Sequence, residues 1–287
     1  MNSFIKNHPV ITYYILVFGI SFGGILAVVG GPKGLPGNPE ESEKLIMPVM
    51  VMLFAGPSIG GLLMTWLVYG RSGFHDLGTR ISKWRVNGRW YAIALLTAPV
   101  LFTAVALILS TLSGKYLPGI VVSTDRFSLV VFGLSYGIIG GGLLEELGWT
   151  GFAIPTLRLK NSVIRTALIV GILWGAWHFM VIYWMSDAHG EVPLWLLLPI
   201  QLFSWLPAYR ILMLWVYERT GGSLLLAMLM HASLSASMLI FQPQGLAGFS
   251  LLRFILSFAA VLWLLAILVY RADRKVFPRN EMDKKPD

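Results

Sequence analysis

Leu134 to Phe152 reads LSYGIIGGGLLEELGWTGF, and the interpretation of this stretch decides the fold. It is apolar and glycine-rich, yet it carries two adjacent acids, Glu145 and Glu146, the only acidic residues inside any of the long apolar runs. An ionised carboxylate in hydrocarbon costs roughly 2.5–3.5 kcal/mol on insertion scales. Two in succession must be protonated, paired, or turned toward a polar cavity. Intramembrane acids are therefore candidates for a functional site.

Outside this stretch, the 287-residue chain is 56% hydrophobic and only 13% charged, with a mean hydropathy of +0.72. An ordinary soluble domain is about 25% charged. Several apolar runs reach the roughly 20 residues that cross a bilayer as a helix. They fall near 10–30, 46–69, 90–112, 128–150, 163–184, 193–216, 223–241 and 250–270, separated by proline, glycine and charge. The predicted fold is all-α: a polytopic membrane protein of about eight transmembrane helices in one bundle, with an intramembrane polar cavity. The short alternating segments of a membrane β-barrel are absent. Neither a repeat nor a long linker divides the chain, so 1–287 is expected to form one membrane domain. The first apolar run has no small-residue cleavage pattern and reads as a retained span.

Cysteine is absent, which excludes disulfides, thiolate zinc sites and a cysteine nucleophile. The net charge is +8. No basic stripe interleaves with aromatics, so the basic residues read as loop anchors near anionic headgroups rather than as a nucleic-acid surface. Arg71, Arg80, Lys83, Arg85 and Arg89 fall in the second loop, Arg158, Lys160 and Arg165 in the fourth, and Arg219 in the sixth with Arg210 nearby. The tail 271–287 is basic. The alternate loops are poor in bases. This pattern predicts both termini in the cytoplasm, in a plasma membrane of bacterial or archaeal type.

His8, His75 and His189 lie in flanks or loops and read as solvated. His178 and His231 fall inside the fifth and seventh runs. Titratable groups buried in lipid need partners, and one shared polar site for Glu145, Glu146, His178 and His231 is the cheapest arrangement. Trp174 lies one helical turn before His178, and Ser235 one turn after His231. Ser235 could equally bond back to its own helix. Glu145 and Glu146 lie about 100° apart on a helix. They are expected to divide the work, one at the reacting centre and one bonded to a neighbouring helix. Gly133, Gly137, Gly140, Gly141 and Gly142 point to close helix packing. Trp184, Trp195 and Trp205 read as interfacial belt residues, and Trp149, Trp174 and Trp177 as the lining of the site.

These residues resemble the CPBP family of intramembrane proteases (CAAX protease and bacteriocin-processing, or Abi), which includes the Rce1-like CAAX prenyl endopeptidases. The family pattern of Glu-Glu-x-x-x-Arg, Phe-x-x-x-His and His-x-x-x-Asn is matched by Glu145-Glu146-Leu-Gly-Trp-Thr150, Trp174-Gly-Ala-Trp-His178 and His231-Ala-Ser-Leu-Ser235. Thr150, Trp174 and Ser235 replace the arginine, phenylalanine and asparagine. Replacing the arginine leaves Glu146 in need of another partner. The resemblance implies a catalytic core over 125–245 and an intramembrane metalloendopeptidase acting on a peptide or prenylated protein reached from the lipid bilayer. The implied catalytic set is Glu145, Glu146, His178, His231 and Ser235. Glu145 and His178 would activate water, and His231 with Ser235 would stabilise the oxyanion. In the rival scheme Glu145, His178 and His231 bind Zn2+, which lowers the pKa of the water. The other classes weighed are a membrane scaffold or immunity factor and an ion-coupled transporter.

Overall fold

The computed structural model describes residues 3–186 and 192–278. Among them there is no strand. The helices are α1 (Pro9–Val28), α2 (Pro39–Ile81), α3 (Gly88–Ser110), α4 (Arg126–Arg158), α5 (Val163–Trp184), α6 (Leu194–Arg219), α7 (Leu224–Ile240) and α8 (Gly248–Ala272). Seven are long and apolar enough to cross a membrane. The exception is α7, apolar but only 17 residues long. By length alone, then, the eight expected spans become seven plus one short helix. The chain is an integral membrane protein built as a helical bundle.

Some boundaries differ from the sequence prediction. The second run does not stop near residue 69. Gly70 takes a positive φ of 61°, kinking the chain, and the helix resumes through Arg71 to Ile81. Glycine adopts that conformation without the Cβ penalty other residues incur. Arg71 and Arg80 are thus helical, not in a loop. Arg80 turns back to donate to the carbonyls of Thr150 (3.1 Å) and Gly151 (2.8 Å), tying α2 to α4. The fourth run extends to Arg158, eight residues past its expected end. The sixth is interrupted at Ser204–Trp205.

Small residues bring α4 against α7. Gly133, Gly137 and Gly141 recur every fourth position. A Cβ at Gly133 would reach 2.7 Å from Ile240, one at Gly137 would meet the Ala232 carbonyl, and one at Gly141 would lie 3.0 Å from His231 Nε2. Without strong hydrophobic driving force between helices in lipid, such close backbone approach is what holds them together. Gly61 and Gly148 do the same for α2 and α4, at 2.6 Å between an added Cβ and the facing Cα.

Trp184 and Trp205 are not belt residues. They are buried at 0% and 9% exposure, whereas Trp195 is 75% exposed. Trp184 fits against Gly37, whose N–H donates to the Trp184 carbonyl at 2.9 Å. His8 and His75 are exposed as expected. His189, most of the fifth loop and the end of the basic tail lie outside the described residues.

The end of α8 is clamped to α6. Arg219 donates twice to Asp273 at 2.5 Å, and Trp215 Nε1 donates to the same carboxylate at 2.8 Å. Burial opposes ionisation of Asp273, but the bonds from Arg219, Trp215 and the Val276 N–H outweigh it and hold the pKa below the ordinary carboxylate value. This stabilisation is therefore fully present above pH ~3.9 and lost as the pH falls through the lower folded-state value. Asp273→Asn is expected to cost about 1–3 kcal/mol at neutral pH. It should also flatten the decline in melting temperature below pH 4 that is expected for the unsubstituted protein in detergent. An identical acid profile for both proteins would refute the assignment.

Candidate functional site

The glutamates lie where α4 widens. Gly137–Glu145 is π-helical, Glu146–Gly148 returns to α geometry, and Trp149–Ala153 is π-helical again. Consecutive π turns are rare and tend to mark functional sites. The run of Gly140, Gly141 and Gly142 offers no side-chain obstacle to the wider turn. The Leu144 carbonyl, just before the acids, accepts from Ser58 Oγ of α2 at 2.6 Å.

Depth follows from helix direction. Glu145 lies thirteen residues before the end of α4 at Arg158, and His178 fifteen residues after the start of α5 at Val163. At 1.5 Å per residue both lie about 20 Å from the connected ends. A fourth span ending at residue 150 would put Glu145 only five residues from that end, against fifteen for His178. The extension to Arg158 removes the mismatch.

The two acids have different environments. Glu146 is fully buried and paired with Arg210 of α6, whose Nη1 lies 2.9 Å from Oε1 and 3.2 Å from Oε2. Thr150 Oγ1 donates to Oε2. His231 Nδ1 lies 2.7 Å from Oε1. Because a carboxylate can only accept, Nδ1 carries the proton and Nε2 is left with its lone pair. That nitrogen faces Glu145 Oε1 at 3.8 Å. The other Glu145 oxygen accepts from the indoles of Trp174 (2.8 Å) and Trp149 (3.1 Å).

His178 occupies a break in α5 between Trp177 and Phe179. Its Nδ1 donates to the Trp174 carbonyl at 2.8 Å, which leaves Nε2 as an acceptor. His178 is half-buried, while Glu145, Glu146 and His231 are at most 3% exposed. The Trp174 ring lies between the imidazoles, 5.9 Å from His178 and 4.9 Å from His231. Ser235, 8% exposed, abuts Gly141 beside His231. Trp149, Trp174 and Trp177 surround the acids.

Arg210 is the residue the sequence analysis misplaced. Expected beside a cytoplasmic loop, it is wholly buried in α6. Its guanidinium stacks over Trp174 at 4.3 Å. A cation inside the 193–216 run, set against an acid left without its motif arginine, was the available signal. Breaking such a buried pair by removing one partner costs about 3–5 kcal/mol.

A zinc ion needs at least three protein ligands with free lone pairs. Among the described residues no three carboxylate, imidazole or thiol groups converge closely enough to enclose one ion. Glu145 and His231 supply two donors, and Glu146 is already engaged by Arg210, Thr150 and His231. The expected set of Glu145, His178 and His231 is therefore not assembled around a common point.

The fold and site together define a polytopic helical membrane protein with a carboxylate–imidazole cluster drawn from three helices, α4, α5 and α7, and braced by Arg210 of a fourth, α6. Residues 126–237 match the family model for type II CAAX prenyl endopeptidase Rce1-like proteins. Over 136 residues the chain is 29% identical to CAAX prenyl protease 2 of Methanococcus maripaludis, covering 46% of this chain and 47% of that protein. The chain thus spans about half the length of the curated relative it matches. Through this region the chain is similar to the Rce1-like endopeptidases.

The packing at Gly141 provides a structural test. Gly141→Ala would drive a methyl group into Ser235 Oγ and His231, and such overpacking costs about 1–3 kcal/mol. Gly23→Ala in α1 has open space around it and should be neutral or stabilising by up to about 1 kcal/mol. Thermal unfolding in one detergent should separate the two; equal melting temperatures would contradict the tight contact of α4 on α7.

Proposed function

We propose that this protein is an intramembrane endopeptidase of the CAAX prenyl protease type, in which Glu145 activates water for attack on a peptide bond. One observation carries this reading: Glu145 has one oxygen held by two indole N–H groups and the other aimed at the unprotonated nitrogen of a buried imidazole. A carboxylate fixed in this way is a positioned base. The match to the Rce1-like family and the named prenyl protease relative support the same class of chemistry.

In this scheme water enters beside the half-buried His178, whose free Nε2 accepts one of its hydrogens. Glu145 Oε1 takes the proton as the water oxygen attacks the scissile carbonyl. Glu145 hands this proton on to Nε2 of His231, 3.8 Å away, and the resulting imidazolium, balanced by Glu146, donates to the oxyanion. Ser235 lies beside it as a second donor. Loss of one oxyanion donor costs on the order of 10²–10³ in rate. The proton then passes to the leaving amine. In this reading Glu145 and His178 activate the water without a metal. The substrate is a peptide or a protein with a prenylated C-terminus, presented at the bilayer.

The test uses purified protein in lipid nanodiscs and a farnesylated peptide ending in Cys-aliphatic-aliphatic-X. Glu145→Gln should reduce cleavage by about 10²–10⁴ and His178→Ala by about 10². Equal cleavage by both variants and the unsubstituted protein would reject this site. Cleavage is also expected to survive exhaustive chelation. Activity abolished by chelation and restored by Zn2+ alone would replace the Glu145 base with a metal-activated water.

A further inference from the structure

The position that carries an arginine in the resembled motif is Thr150, and its hydroxyl bonds the same carboxylate that Arg210 grips from α6. Arg210 is fully buried, stacks on Trp174, and keeps Nε and Nη2 without partners among the described residues. A guanidinium with two orphaned donors is not placed for its own satisfaction. All of its polar contact goes to Glu146. Among the described residues, Glu146 in turn is the acceptor bonded to His231 Nδ1.

We infer that Arg210 is a positioning residue that supplies, from a different helix, the cation missing at position 150, and that through Glu146 it fixes His231 with its proton on Nδ1 and its lone pair toward Glu145. Arg210 touches no reacting atom in this scheme. It acts by orienting a carboxylate that orients an imidazole, as outer partners of catalytic histidines do. The site accommodates the exchange because residues 146 and 150 are four apart on α4, the spacing at which an acid and a base pair on one helix face. A guanidinium at 150 could enter the space that Arg210 vacates. The kinetic part of this inference rests on the endopeptidase reading; the tautomer part does not.

The experiment compares the unsubstituted protein with Arg210→Met, Arg210→Met/Thr150→Arg and Arg210→Lys, all in lipid nanodiscs. Selective 15N-histidine labelling, with a His231→Gln variant to assign the signal, reads which ring nitrogen of His231 is protonated. The unsubstituted protein should show one Nδ1-protonated species. Arg210→Met should lose that single species, and the double variant should regain it. On the farnesylated peptide, Arg210→Met should lower kcat about 10–100-fold with KM changed less than twofold. The double variant should recover at least tenfold. Arg210→Lys retains the charge without the fork and should fall between. If Arg210→Met does not fold, recovery of fold and spectrum in the double variant supports the inference, and failure of the double variant overturns it. A folded Arg210→Met with an unchanged His231 spectrum and unchanged kcat also overturns it. If the unsubstituted protein does not cleave the peptide, the endopeptidase reading fails while the tautomer comparison still decides the role of Arg210.

Discussion

A carboxylate and a guanidinium, both out of reach of water, set the terms for the centre of this molecule. Glu146 and Arg210 are each fully buried, and neither can be ionised there alone without a cost of several kcal/mol. Their pairing joins α4 to α6. The same carboxylate engages His231 of α7 and Thr150 on its own helix. Glu145, one residue earlier, is thereby turned toward the indoles of Trp149 and Trp174 and the far nitrogen of His231. The pair thus organises three helices and leaves the neighbouring acid as the group with an uncommitted oxygen.

That arrangement requires backbones at unusually short range. The glycines along α4 let α2 and α7 approach until an added methyl group would clash with side chains and carbonyls. The π-helical turns on either side of Glu146 change the angular spacing of the side chains, so the two acids are presented to different neighbours. Ser58 and Arg80, both from α2, bond carbonyls in these wide segments. Packing and chemistry are therefore coupled: the same small residues that close the bundle bring Gly141 against Ser235 and His231.

The elements that sequence analysis located well were those defined by long apolar length. The bounds of α1, α3, α5 and α8 fall within a few residues of their expected positions. It did less well where a helix continues past the most apolar part of its run, as α2 does past Gly70 and α4 past Thr150, because hydropathy falls while backbone hydrogen bonding continues. Trp184 and Trp205 were read as interfacial, since an aromatic at the end of a run looks the same whether it meets a headgroup or packs inside the bundle. Arg210 was read as a loop charge because proximity to a basic loop was weighed above its position inside an apolar run.

The sequence alone determined the class of molecule and pointed to four of the ionisable groups at its centre. Apolar run length dictates a helical membrane bundle, and the cost of burying ionisable groups singles out Glu145, Glu146, His178 and His231, since these facts depend only on residue type and spacing along one chain. Only the tertiary structure decided the partnerships: which acid meets Arg210 and which nitrogen of His231 faces Glu145. Those depend on distances between residues 29 to 85 positions apart, set by helix packing and by the π turns of α4, and no periodicity along the chain encodes them.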